Sequence, residues 1–384
     1  MESRKKLAIL NNIVPPYRIP IYVELGKAFD TSVILSGKED NSLQWQGMEQ
    51  KLIQNGLSVS VAQGITIRYK NKTKDGKVFE KRYLHLNPGY IIDLFRKNPD
   101  AVISTEMGFR TWMALLYGSI AHKPVWVWWG GTLITEKNRN SLKRFARKIM
   151  AKFVRRWISY GTTSTEYLLH LGVKQNTILQ IQNCIDETLY MNQVEPTFTI
   201  SPSPVFLLAG QFIWRKGFNI FLAAAAQLQK EGYRFSSLLV GDGPEKSALQ
   251  QLVSALGLES VHFIPPQPLA AMPAVYRSAD VFVFPTLEDV WGLVINESLW
   301  SGVPVLSSIY AGCTAEIVPP ENRFDPLNQH DFQRVLKLVL EKKLQPADIS
   351  MLLTYNQVAE LITNDILRTI CRSEGQEMAS KMGV

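Results

Sequence analysis

The stretch PTLEDVWGLVINESLWSGVPVLSS, residues 285–308, decides the reading of this 384-residue chain. It reads as a buried strand end, an acidic loop, a helix opening at a glycine, and a second buried strand. Asp289 and Glu297 bracket the helix start, with Glu288 beside the first. A helix N-terminus presents unpaired backbone N–H groups and the positive end of its dipole, which suits a phosphate. Carboxylates a turn or two away suit hydroxyl-rich groups such as ribose or hexose. Acids beside an anion site fit a nucleotide-sugar better than a plain phosphate. Glu297 also lies among Leu293, Val294, Ile295, Leu299 and Trp300, and a carboxylate on so apolar a helix needs a partner or a ligand. The bland alternative makes Glu288 and Asp289 helix caps and Glu297 a surface position.

Short apolar runs alternate with longer amphipathic stretches on both sides of this segment. KLAIL, TSVILS, AVIS, VWVWW, WISY and ILQIQ are strand candidates in the first half; VFLLAG, SSLLVG, VHFI, DVFVFP and VPVLSS follow in the second. Helical patterns cover residues 18–29, 141–157, 219–231, 244–257 and 329–342, and a last one covers 351–371 with no strand after it. Buried strands alternating with helices predict an α/β chain of doubly wound parallel sheets, and the strand number suits two sheets. Residues 187–204, rich in Pro, Ser and Thr, read as a linker. The expected division is a first domain over 1–186, a second over 205–350, and a C-terminal helix over 351–384 packing back on the first. Residues 65–85 alternate around Asp75-Gly76 and predict a β-hairpin.

Charge is uneven. Residues 1–192 hold 28 Lys and Arg against 15 Asp and Glu, whereas residues 193–384 hold 14 against 19. The basic half should face something anionic, whether a membrane surface, an acidic acceptor or nucleic acid. A nucleic-acid binder would interleave aromatics with base-contacting groups and would leave the acidic loop without a purpose, so no nucleic-acid partner is expected. Cys184, Cys313 and Cys371 are scattered without CxxC spacing and only five histidines are present, so neither a disulfide framework nor a zinc site is expected. No apolar run approaches the length of a membrane span and no signal peptide is read, which fits a cytoplasmic setting.

The familiar nucleotide motifs are missing. The first strand runs into NNIVPPYR and not GxGxxG, GQFIWRKG lacks the spacing and hydroxyl of a P-loop, and no DxD pair offers a metal site. Instead, loops follow several second-half strands. LLAGQFIWRKG carries Gln211, Arg215 and Lys216, and Lys216 before Gly217 could meet a diphosphate as a point charge; an exposed basic turn is the plainer reading. LLVGDGP carries Gly241, Asp242 and Gly243 in a tight turn, and AGCTAEIV carries Glu316 at a small-residue helix start.

Taken together, GQFIWRKG, VGDGP, RSADVFVFPT, EDVWGLVINESLWSGVPV and AGCTAEIV resemble the motifs of the family 4 glycosyltransferases, in order and spacing. VWWGGT, ISYGTTSTEYLLHLGV and QNCID resemble the family's first-half segments, so the likeness spans roughly residues 7–345. The resemblance implies the GT-B architecture, two Rossmann-like domains facing a central cleft. It also implies a retaining, metal-independent transfer of a hexose-type sugar from a nucleotide-diphosphate sugar to a glycan, lipid-linked or small-molecule hydroxyl, with no cofactor. By the same resemblance Lys216, with Arg215 and Gln211 nearby, faces the donor diphosphate, and Gly241 lies in the donor site. Asp289, with Glu288 beside it, matches the acid that contacts the sugar, and Glu297 matches the one that holds the ribose hydroxyls. Backbone amides of Trp291, Gly292 and Leu293 would receive phosphate or sugar oxygens, and Gly130 and Gly131 would face the cleft on the acceptor side. Three departures stand out: Asp289 replaces a Glu, Gln211 replaces an Arg, and Gly131 replaces a His.

Residues 141–157, SLKRFARKIMAKFVRRW, repeat Leu142, Phe145, Ile149, Phe153 and Trp157 at helical spacing among seven Lys and Arg. One reading is an interfacial helix on an anionic membrane, at its inner face. The other is a domain helix whose apolar stripe is core and whose charges are solvated. The alternatives to a transferase are a nucleotide-sugar epimerase of the same architecture and a non-enzymatic protein that binds anionic surfaces.

Overall fold

The computed structural model describes residues 4–37, 45, 47–72, 78–137 and 139–381. Its first half contains strands β1 (Lys6–Asn11), β2 (Asp30–Leu35), β3 (Ser58–Val61), β4 (Ile65–Lys72), β5 (Val78–Leu86), β6 (Ala101–Thr105), β7 (Val125–Trp129), β8 (Arg156–Tyr160) and β9 (Ile178–Ile181). Seven of these form one parallel sheet in the order β3-β2-β1-β6-β7-β8-β9. Strands β10 (Val205–Ala209), β11 (Ser236–Val240), β12 (Val261–Ile264), β13 (Val281–Phe284), β14 (Val305–Ser308) and β15 (Arg323–Phe324) form a second parallel sheet, ordered β12-β11-β10-β13-β14-β15. VWVWW of β7, VFLLA of β10 and VFVF of β13 are buried at every residue, as strands covered by helices on both faces must be.

Strands β4 and β5 pair antiparallel from Ile65↔Leu86 onward, giving the predicted hairpin; its Asp75-Gly76 turn lies outside the described residues. Strand β3 is a weakly apolar SVSV edge and β15 has two residues, too little pattern for either to be read from sequence. The helix expected over 141–157 spans Ser141–Phe153 only. The chain becomes extended at Val154, and Trp157 is fully buried in β8 beside Val127. Its apolar stripe does not form core: Leu142, Phe145 and Phe153 are 74%, 61% and 60% exposed, while Arg147 and Met150 are buried.

Strand order reverses between β1 and β6 in one sheet and between β10 and β13 in the other. Such switch points open a crevice beyond the strand C-termini, where ligands of open α/β sheets bind. The segments that follow these strands, with residues drawn from 12–18, 106–110 and 289–292, line one cleft of about 830 Å³. At its base the halves touch. The Thr163 hydroxyl donates to the Gly312 carbonyl over 3.1 Å, and the Glu316 carboxylate accepts the Thr162 N–H.

The last helix, Tyr355–Lys381, crosses back to the first sheet and packs on helix Ile19–Ala28. Val358, Ile362, Ile366 and Ile370 join the core that holds Trp126 and Trp128. The Trp126 indole N–H donates to Asp365 over 2.7 Å, and Arg156 approaches the same carboxylate at 3.6 Å. Replacing Asp365 by Ala leaves that indole N–H buried without a partner, a loss of about 1–3 kcal/mol. The urea midpoint of Asp365→Ala should fall with the m-value unchanged; an unaltered midpoint would mean that the bond does not hold the helix.

Candidate active site

The second-domain wall of the cleft is built by two loops locked together. After β10 the chain passes Gln211, exposed, and turns through Trp214–Lys216 into Gly217. The Lys216 ammonium meets the Asp289 carboxylate at 2.6 Å and lies 5.0 Å from the centre of the Phe284 ring. Asp289 is fixed by its own backbone as well: its N–H donates to Tyr310 O, its carbonyl accepts the Gly312 N–H, and its second carboxylate oxygen accepts the Trp291 N–H. Burial pushes the Asp289 carboxyl up, but the charges of Lys216 and Arg215 and the Trp291 N–H outweigh it and hold it below the usual range. Asp289 is therefore ionised and paired.

Arg215 makes contacts of a different kind. Its carbonyl accepts the Leu287 N–H and the Thr286 hydroxyl, and its guanidinium donates to the Glu288 carbonyl over 3.2 Å. It braces the acidic loop and does not line the cleft. Glu288 also stands back from the cleft, and burial raises its carboxyl although Arg215 and Arg139 oppose that shift.

Helix Leu293–Trp300 opens at Gly292, whose φ of 103° belongs to the left-handed region that favours glycine. No side chain caps this end, and Gly292, Leu293 and Val294 of its first turn line the cleft. Trp291 lines the cleft although it is nearly fully buried, its indole donating to Asn296 over 2.9 Å. Glu297 sits one turn further on, outside the cleft lining, and accepts the Tyr276 hydroxyl at 2.8 Å. Burial pushes this carboxyl up to about 7, against the Tyr276 and Tyr190 hydroxyls that favour its ionised form. Gly241 lies behind the β10 loop, against the Gly210 carbonyl, and not in the cleft.

On the opposite wall Gly130 and Gly131 follow β7 and line the cleft. A Cβ on Gly131 would overlap the Trp129 indole, whose Nε1 donates to the carbonyl of Gly131 itself over 2.8 Å. A histidine therefore does not fit where the family resemblance leads one to expect it. Beneath this turn Glu136 is buried against two arginines: Arg139 at 3.0 Å and Arg147, which also lies over the Trp129 ring at 4.6 Å. This cluster, with Arg18 and Arg110 from the loops after β1 and β6, escaped the sequence reading. The one signal available was an arginine entering the apolar run YRIPIYV.

So the structure gathers Lys216, Asp289, Trp291, Gly292, Leu293, Gly130 and Gly131 around the cleft. It leaves Gln211, Arg215, Gly241, Glu288 and Glu297 outside the immediate lining. Cys184 and Cys313 are buried thiols whose burial raises them, Cys184 to about 12. Among the described residues no three His, Cys, Asp or Glu side chains are grouped as metal ligands.

Known proteins resemble this chain in both sequence and fold. The D-inositol 3-phosphate glycosyltransferase of Nocardia farcinica is 33% identical over 122 residues, 30% of this chain and 27% of that protein. The chain thus matches little more than a quarter of that relative's length. The 2-deoxystreptamine glucosyltransferase of Streptomyces kanamyceticus is 25% identical over 275 residues, 65% of this chain and 70% of that protein. Among solved structures, Anabaena HepE in complex with UDP and glucose superposes with a TM-score of 0.64 at 17% identity, covering 98% of this chain and all of that one. The lipopolysaccharide outer core galactosyltransferase WaaB in its apo form gives 0.67 at 14% identity, covering 96% of this chain and 99% of that one. The fold is GT-B, two Rossmann-like parallel-sheet domains facing a cleft. Residues 193–351, the second domain, match the family model described as glycosyl transferases group 1.

Proposed function

We propose that the protein is a retaining glycosyltransferase of family 4 that transfers a hexose-type sugar from a nucleoside-diphosphate sugar to a hydroxyl of a glycan, lipid-linked or small-molecule acceptor. The observation that carries this reading is the uncapped helix end at Gly292 beside the Lys216–Asp289 pair, facing the first domain across one cleft. Open N–H groups and an ammonium are the donors a leaving diphosphate needs as its charge develops. Asp289 next to them is suited to sugar hydroxyls, and Glu297 behind them to the ribose. HepE, similar in fold, is described in complex with UDP and glucose, which supports a nucleotide-sugar as the donor class.

In this mechanism the bond from the anomeric carbon to the phosphate oxygen breaks and a bond to the acceptor oxygen forms on the same face. The acceptor proton passes to an oxygen of the departing diphosphate. The chain contributes charge stabilisation and positioning, with no protein nucleophile and no metal in the scheme. Its resting cost is that the diphosphate competes with Asp289 for Lys216. A thermal-shift screen with UDP-, GDP- and ADP-sugars, followed by product analysis with acceptor mixtures, tests the assignment. Donor interconversion without an acceptor would favour an epimerase instead.

The face carried by helix Ser141–Phe153 suits the surface of an anionic membrane, where a lipid-linked acceptor would lie. Leu142, Phe145 and Phe153 project from it among exposed Lys143, Arg144, Lys148 and Lys152. No described helix is long and apolar enough to cross a membrane, so contact would be peripheral.

Three outcomes follow from these assignments. Lys216→Ala should lower kcat/KM by about 10²- to 10³-fold, the scale of losing one transition-state donor; full activity would remove Lys216 from the site. For Glu297, a carboxyl raised from the ordinary 4.5 to about 7 keeps its proton in the native state where the unfolded chain loses it. Its stabilising contribution is therefore complete below about 4.5 and lost as pH rises through about 7. Nucleotide ribose hydroxyls donate to the ionised form, so calorimetry should show affinity rising from pH 6 to 8 with proton release at the lower end. Glu297→Gln should flatten that dependence. Finally, the wild type should co-sediment with phosphatidylserine vesicles in a salt-sensitive way, and the Leu142→Ser/Phe145→Ser variant should not; binding indifferent to lipid charge and salt would exclude the membrane contact.

A further inference from the structure

Around the first-domain end of the cleft lies a set of buried polar atoms without partners. Arg18 follows β1 and is 6% exposed; its guanidinium lies 3.7 Å from the centre of the Trp128 ring and 5.2 Å from that of Tyr160. Its Nε and Nη1 make no hydrogen bond. The Trp128 indole N–H, the Tyr160 hydroxyl and the Asn183 amide oxygen are likewise buried and unpartnered, and all four residues line the cleft. Four other cleft cations are matched: Lys216 by Asp289, Arg110 by Glu106, and Arg139 and Arg147 by Glu136. Among the described residues no carboxylate pairs with Arg18.

A buried guanidinium is costly unless an anion and hydrogen-bond acceptors reach it. The aromatic stack offsets part of that cost and leaves the N–H groups unmatched. Three of the four orphan groups are N–H or O–H donors, and an arginine fork matches phosphate oxygens. We propose that Arg18, with the Trp128 indole N–H and the Tyr160 hydroxyl, forms an anion subsite on the first-domain wall that takes a phosphate group. The inference rests on the transferase reading for the source of that phosphate: the donor diphosphate reached from across the cleft, or a phosphate on the acceptor. Arg18 is then a binding residue facing Lys216 from the other domain.

The test uses the full chain, with inorganic phosphate, pyrophosphate, UDP, GDP and ADP as probes in calorimetry and thermal shift. Arg18→Met keeps a long side chain on Trp128 and should weaken phosphate and pyrophosphate binding about tenfold or more. If the donor supplies the phosphate, the nucleotide that binds the wild type weakens equally in Arg18→Met, and saturating it blocks inorganic phosphate. If the acceptor supplies it, nucleotide affinity is unchanged, and phosphate still binds nucleotide-saturated wild type but not the variant. Tyr160→Phe removes only the orphan hydroxyl and should weaken phosphate several-fold, which keeps the test open should Arg18→Met not fold. Wild-type affinity for phosphate, pyrophosphate and nucleotide in a folded variant, or no binding of any of these by the wild type, would overturn the subsite. Failure of all three nucleotides with phosphate binding intact would instead remove the nucleotide-sugar reading alone.

Discussion

The ion pair between Lys216 and Asp289 ties the loop after β10 to the loop after β13 across the switch point of the second sheet. Its two partners are 73 residues apart in sequence. The pair is only partly exposed, so the charges are screened less than a surface pair and the geometry is correspondingly firm. Asp289 extends that restraint by bridging to Ala311 and accepting the Trp291 N–H, which sets the approach to Gly292 and the open helix end. Remove the pair, and the amides at the helix start lose the loop that aims them.

The first domain answers with a different balance. It is the basic half of the chain, yet most of its cleft arginines are already held by Glu136 or Glu106. The tight packing of Trp129 under Gly131 leaves no room for a side chain there, so polar contacts on this wall must come from neighbouring loops. Arg18, Trp128, Tyr160 and Asn183 are the groups in position to supply them.

The sheets were legible in the sequence because strands covered on both faces must be continuously apolar, as VWVWW and VFLLA are. Glu297 was legible for the complementary reason: a carboxylate on an apolar helix has to be matched, here by the Tyr276 hydroxyl. The contact that Arg215 makes with the Glu288 carbonyl was not, because a basic residue near a phosphate-type loop carries no sign of a backbone partner 73 residues away. Arg147 was hidden among the other basic residues of its helix. Only the fold brings Glu136 and Trp129 to it, and in doing so turns the apolar stripe Leu142, Phe145 and Phe153 outward. Periodicity reports that a helix has two faces; which one is buried depends on partners distant in sequence.

Transfer with retention, as proposed, has the acceptor entering this cleft on the face from which the diphosphate leaves. Proton NMR of the product formed from an α-linked nucleotide-sugar and an acceptor hydroxyl reads that stereochemistry. Retention gives an α-linked product and one nucleoside diphosphate released per bond formed; a β-linked product, or donor consumed with no glycosylated acceptor, would rule it out.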